Sequence, residues 1–234
     1  YRGKGCIFVA NHQVGIESLL FSLLSAALTD TPVVTVAKKE HRDSWLGELI
    51  AAGFAHPSVE DPGVITFFDR QNAGSLLELA AGLSEDLASG RKHVMVHVAG
   101  TRSLAARTPV STIAGNFIDL AVQTGAAIVP VRFLGGLPVE PMGERLDFPV
   151  GLGQQDYWIG QPIPAEMLAS LPLKDRRDLV LHALNHLGPD LASEVPLAPS
   201  AELQHAVMKR ATQGLAPTSA VLQATLANLS EPCD

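Results

Sequence analysis

The stretch Cys6-Ile7-Phe8-Val9-Ala10-Asn11-His12-Gln13-Val14-Gly15-Ile16-Glu17 decides the fold. Its first five residues are apolar and include β-branched Ile7 and Val9, the pattern of a strand buried on both faces. A polar turn follows, and from 16 to 28 apolar residues recur at helical spacing. A strand that runs through a short turn into a helix opens an α/β unit. The alternation continues outward, with residues 33–37, 64–68, 94–98 and 127–133 reading as buried strands. Helical patterns at 16–28, 44–53, 75–88 and 113–123 lie between them. Ser75 with Glu78 suggests a capping box for the helix at 75–88, and Gly90 its stop. Pro130 inside a strand implies an edge or a bulge. A further strand at 155–163 precedes a helix at 174–187. The expected fold is α/β, a mixed, mostly parallel central sheet flanked by helices, with a helical C-terminal extension.

Residues 1–187 read as this α/β domain. Residues 188–234 read as a linker containing Pro189, Pro196 and Pro199, followed by helical stretches at 201–213 and 219–229. The opening at Tyr1 suggests a domain cut from a longer chain.

Composition narrows the function. Hydrophobic residues make up 47% of the chain and charged residues 18%, which excludes a disordered chain. Seventeen basic against 24 acidic side chains leave a net charge of −7, which argues against a nucleic-acid partner. Any anion site must then come from a few local cations. Cys6 and Cys233 make neither a disulfide framework nor a zinc pattern, so a reducing, cytoplasmic setting is expected. No apolar run reaches the ~18 residues of a membrane span. The densest, from Leu19 to Leu28, is broken by Ser22 and Ser25 and reads as a core helix.

Three strand ends carry chemistry. After the first comes Asn11-His12, with Glu17 five residues on. On one continuous helix such a pair would point about 140° apart. They meet only if His12 lies in the turn and Glu17 in the first helical turn. The carboxylate would then hold one imidazole nitrogen and leave the other as a base. Read locally, the same stretch is a capping Asn and an exposed His. The second site is Phe67-Phe68-Asp69-Arg70, where Arg70 can fork onto a phosphate or pair with a neighbour. The third is Gly100-Thr101-Arg102-Ser103, which offers close backbone approach, hydroxyls and a charge, without the Lys and glycine spacing of a nucleotide loop. His41, His56, His93, His97, His182, His186 and His205 show no metal-ligand spacing, and no metal is expected. Trp45 and Trp158 read as packing residues.

In this order and spacing, the blocks resemble the glycerolipid acyltransferase superfamily, the 1-acylglycerol-3-phosphate and glycerol-3-phosphate acyltransferases. Asn11-His12 with Glu17 is similar to that family's NHxxxxD block, in a variant HxxxxE form. Phe67 to Arg70 resembles its FIxR block and Gly100 to Ser103 its PEGTRS block. Ile128 to Val131 resembles its VPV block, and Ala37-Lys38-Lys39-Glu40 its K-x-E stretch. The match covers roughly 5 to 165. It departs where Val98-Ala99 replaces Pro-Glu, which removes an acidic residue.

The resemblance implies transfer of a fatty acyl group from a coenzyme A or acyl-carrier-protein thioester to a hydroxyl of lysophosphatidate or a related acceptor. It implies His12 as general base, Glu17 as its orienting carboxylate, and Lys39, Arg70, Gly100, Thr101 and Arg102 as substrate-binding residues. No cofactor beyond the thioester co-substrate is implied. The expected partners are that carrier, a lysophospholipid-type acceptor and neighbouring domains of a lipid or polyketide-type synthase, with at most peripheral contact at the inner face of a membrane. Two other readings stay open: a non-catalytic acyl or carrier-protein binding module, and thioesterase-like chain release.

Overall fold

A computed structural model of the chain describes residues 4–44, 47–48, 64–69, 71–147, 155–194, 205–206, 208–210 and 212–214. Arg70, most of the helix expected at 44–53 and the helix expected at 219–229 lie outside the described residues. The elements run β1 (Cys6–Ala10), α1 (Glu17–Thr29), β2 (Val33–Lys38), β3 (Ile65–Phe68), α2 (Ala73–Ser89) and β4 (His93–His97). They continue with α3 (Asn116–Thr124), β5 (Ala127–Leu134), β6 (Asp156–Ile159), α4 (Ala165–Ala169) and α5 (Leu173–Asn185). The six strands form one sheet in the order β3-β2-β4-β1-β5-β6. Every pairing is parallel except β5 with the antiparallel edge strand β6.

β1 is completely buried, as its unbroken apolar run requires. Its alternate residues feed two cores. Ile7 and Val9 pack with Leu87 of α2, Ile118 of α3 and Leu184 of α5. Cys6, Phe8 and Ala10 pack with Phe21 of α1 and with Phe133 of β5. The helices therefore divide between the sheet faces, with α1 on one and α2, α3 and α5 on the other.

The chain leaves β1 through α1 to β2, which lies beyond β4, and leaves β4 through α3 to β5, which lies beyond β1. Connections from these two adjacent strands thus depart in opposite directions. The crevice beyond their carboxyl ends is the topological switch point, where open α/β sheets bind ligands.

Three local expectations resolve in detail. The cap of α2 is Asn72, whose side chain accepts from the Gly74 amide, while Ser75 Oγ instead accepts from the Asp69 amide. Gly90 ends that helix in the left-handed region, at φ 72°, as the sequence implied. Pro130 sits between two strands, beside a bulge. Val131 pairs with Ile159 and Ile128 with Ile163, so three steps on β5 face four on the other side. The extra residue frees the ladder from needing the N–H that proline lacks.

Helix α1 packs on the core as expected, but through its serines and Phe21 and not through most of its leucines. Ser18, Ser22 and Ser25 lie inward with Phe21, and Ser22 Oγ meets Thr35 Oγ1 on β2 at 2.7 Å. Small side chains let the helix lie close to the sheet. Leu20, Leu23, Leu24 and Leu28 are consequently exposed, the last at 83%. Among the described residues no helix is long and apolar enough to cross a membrane.

Candidate active site

The turn after β1 is fixed before the helix begins. Asn11 Nδ2 donates to the Phe133 carbonyl at 2.9 Å, and its Oδ1 accepts from the Phe133 amide at 2.7 Å. The side chain thus continues the β1–β5 pairing by one step. His12 follows in the turn, and Glu17 is the first residue of α1. His12 Nδ1 lies 2.9 Å from Glu17 Oε1, with the carboxylate wholly buried. The turn geometry is what brings residues five apart together.

Glu17 takes four hydrogen bonds. Oε1 also accepts from the Gln13 amide at 2.6 Å, and Oε2 accepts from the Val14 amide at 3.2 Å and Gln155 Nε2 at 2.7 Å. It orders the turn as well as the imidazole. Gly15 lets Asp147 and Arg102 pack closely beside it: a Cβ there would meet Asp147 Oδ1 at 2.8 Å and Arg102 Nη1 at 3.2 Å.

His97, the last residue of β4, stands in parallel register with Ala10. Its Nδ1 donates to the Asn11 carbonyl at 2.6 Å. Its ring stacks on that of His12, with centroids 3.5 Å apart and planes 12° from parallel. The two rings fill the switch point between β1 and β4.

A cavity of about 360 Å³ opens beside them. Leu19, Val36, Phe68, Val98 and Phe117 give it an apolar lining, and Lys38, Arg102 and Arg145 add positive groups beside the His41 imidazole, whose pKa burial, Arg102 and Lys38 lower. Gly100, at φ 70°, and Thr101 line it too. Arg102 is largely buried and donates through one Nη to the Leu146 carbonyl and to Asp147. The structure thus brings His12, Glu17, Gly100, Thr101 and Arg102 to one place. Lys39 instead pairs with Asp69 at 3.6 Å and is exposed, while its neighbour Lys38 lines the cavity. His41, His97, Arg145 and Gln155 lie outside the sequence blocks, and Lys38 lies inside one whose binding role was assigned to Lys39. Lys38 ends β2 and Lys39 opens the turn after it, a boundary the sequence does not mark, and the others join the site only through long-range packing.

Burial dominates the electrostatics. It drives the His12 pKa well below 6.5, aided by Arg102, His41 and Lys38. His97 is pushed down to about 3, by burial and then by His12. Glu17 is pushed up to about 7 by burial, against the hydrogen bonds that favour its charge. Burial, and then Glu17, raises Tyr157 to about 12. A neutral imidazole is therefore the resting form of His12, which a proton acceptor needs.

His12, Glu17 and His97 each bring a ligand atom to within 4.8 Å of the others. The donor set nevertheless fits a hydrogen-bonded relay better than a cation. Both Glu17 oxygens already accept two donors each, and His12 Nδ1 is one of them.

These shifts predict acid sensitivity. Both imidazoles hold folded values below the unfolded 6.5, so as pH falls from there the unfolded chain binds their protons first and stability drops. Glu17 has the opposite sign, its folded value of about 7 lying above the unfolded 4.5. His41 and His93 are shifted down as well, so four imidazoles against one carboxyl leave a net loss. The expected Tm is roughly 3–5 °C lower at pH 5 than at pH 7. A Tm equal or higher at pH 5 contradicts these assignments.

The family model described as Acyltransferase matches residues 1–134, which carry β1 to β5 and both ends of the stacked pair. No curated protein matches the chain.

Proposed function

Because the chain belongs to the acyltransferase family of the glycerolipid acyltransferase superfamily, we propose that it moves a fatty acyl group from a thioester to a hydroxyl of a glycerol-phosphate-type acceptor such as lysophosphatidate. One observation carries this reading: a buried His–carboxylate pair beside an apolar cavity that also has a cationic lining.

In the proposed reaction His12 Nε2 takes the acceptor hydroxyl proton as the oxygen attacks the thioester carbonyl carbon. Glu17, bonded at Nδ1, holds the tautomer and stabilises the imidazolium as it forms. Collapse of the tetrahedral intermediate breaks the carbon–sulfur bond. The imidazolium returns its proton to the departing thiolate, leaving ester, free thiol and neutral His12. The turn at Gly100 and Thr101 is the candidate for the intermediate's oxyanion, and the apolar lining suits the acyl chain.

Arg102 and Lys38 are proposed to bind the acceptor phosphate, with Arg70 and Lys39 in the same role from the family blocks. The donor carrier is coenzyme A or an acyl carrier protein, the latter presented by a neighbouring domain of a synthase, and no further cofactor is needed. The exposed leucine face of α1, beside the cavity wall at Leu19, supports peripheral contact with a membrane, with the cytoplasmic side proposed for that contact.

The test is transfer to lysophosphatidate against an uncharged monoacylglycerol. Arg102→Ala is expected to weaken use of the phosphorylated acceptor roughly ten- to more than a hundredfold, with Lys rescuing only in part. Equal losses on both acceptors would make Arg102 a structural partner of Asp147. Thiol release without any acceptor would indicate a thioesterase, and binding without release an acyl or carrier-protein binding module.

A further inference from the structure

We infer that His97 is a positioning residue for His12, fixing the plane of its ring by stacking, an inference that rests on His12 acting as the base. An imidazole turns about its last side-chain bond over a broad, shallow minimum. The hydrogen bond from Nδ1 to Glu17 fixes one edge of the ring and leaves its tilt free. His97 supplies the missing constraint, with centroids 3.5 Å apart and planes within 12° of parallel.

His97 is itself anchored. It ends a buried strand, and its Nδ1 donates at 2.6 Å to the carbonyl of Asn11, the residue before His12. Both rings are thereby tied to one turn. A carbonyl only accepts, so Nδ1 of His97 carries the hydrogen and Nε2 is bare in the neutral ring. That Nε2 is buried and has no hydrogen-bond partner among the described residues. An ordinary packing position would be filled without leaving a polar atom unpaired. Here the unpaired nitrogen accompanies a flat, neutral surface set against the base.

The groups facing His12 come from several elements. Glu17 comes from α1, His97 from β4, Lys38 from the end of β2 and His41 from the turn after it. Arg102 follows β4, and Asp147 lies ahead of β6. Most are cationic or can become so, and a charged His97 would add to them. A neutral ring in that place excludes water without adding charge.

The experiment compares His97→Ala, His97→Leu and His97→Phe in the full chain, with His12→Ala alongside. Readouts are kcat and KM for thioester and acceptor, and the His12 titration followed by NMR. Removing the stack should lower kcat roughly ten- to a hundredfold in the Ala and Leu variants, with each KM within about twofold. Phe keeps a flat face and should stay within about threefold of the parent. The His12 midpoint should rise by about half a unit or more in His97→Ala, as water enters beside the ring, and hold in His97→Phe. Should the Ala variant fail to fold, the Leu and Phe pair decides.

Leu performing like the parent, or Phe performing like Ala, would overturn the inference. If His12→Ala is silent while every His97 variant behaves like the parent, the stacking role alone falls. If His12→Ala turns over normally, the base assignment falls and takes this inference with it.

Discussion

Replacing His12 with Ala is expected to lower acyl transfer about 10²- to 10⁴-fold, the span typical of a positioned general base. The argument is geometric first. Glu17 holds Nδ1 at 2.9 Å, which leaves Nε2 as the ring's bare nitrogen. Burial, Arg102, His41 and Lys38 keep that nitrogen from carrying a proton at neutral pH. Both conditions of a base are therefore met before substrate arrives. Truncation should leave the fold largely in place, because Glu17 retains its bonds from Gln13, Val14 and Gln155. The measurement is ester formation and thiol release together, with thermal unfolding as the control. Turnover near that of the parent in a folded His12→Ala variant would remove the mechanism, whatever the family.

Strand–helix order and the mostly parallel sheet were legible in the alternation of apolar runs, whereas the pairing of His12 with Glu17 was implied by the family resemblance, the local reading being a capping Asn and an exposed His. The apolar run at β1 and the polar turn after it specify their own geometry. Pro130 was legible as an edge or a bulge, and the β6 register decides for the bulge. What was illegible depends on which strands become neighbours. His97 looks like any histidine at a strand end until β4 is set beside β1, placing it opposite Ala10. Gln155 reaches Glu17 across 138 residues of sequence, and no spacing rule anticipates that. The choice between Lys38 and Lys39 turns on where β2 ends: Lys38 is its last residue, and Lys39 already belongs to the turn beyond it. Helix α1 was legible as a core helix, but which of its sides faces the sheet was not. Leucines normally mark the buried stripe, but here the sheet accepts the serine side, where the Ser22–Thr35 bond satisfies the buried hydroxyls.

Glu17→Gln should cut turnover by about 10²- to 10⁴-fold, since an imidazole facing the amide NH2 is held in the wrong tautomer and one facing the amide oxygen loses the charge that stabilises its imidazolium. The carboxylate uses both oxygens as acceptors, for four donors in all. An amide keeps one such oxygen and turns the other position into a donor. If the NH2 replaces Oε1, it faces the Gln13 amide and His12 Nδ1–H. If it replaces Oε2, it faces Val14 and Gln155. Either orientation sets donor against donor in a fully buried site, so Tm should fall along with rate. Acceptor KM should change little, because none of these contacts involves the cations lining the cavity. Glu17→Asp separates charge from reach. It keeps the two oxygens but draws them back by one methylene, away from donors set at 2.6–3.2 Å. Its activity should lie between those of Glu and Gln. An Asp variant faster than the parent would mean that the turn prefers the shorter side chain and that the four-donor arrangement is not what tunes His12. A Gln variant with parental rate and Tm would reduce Glu17 to the residue that starts the helix.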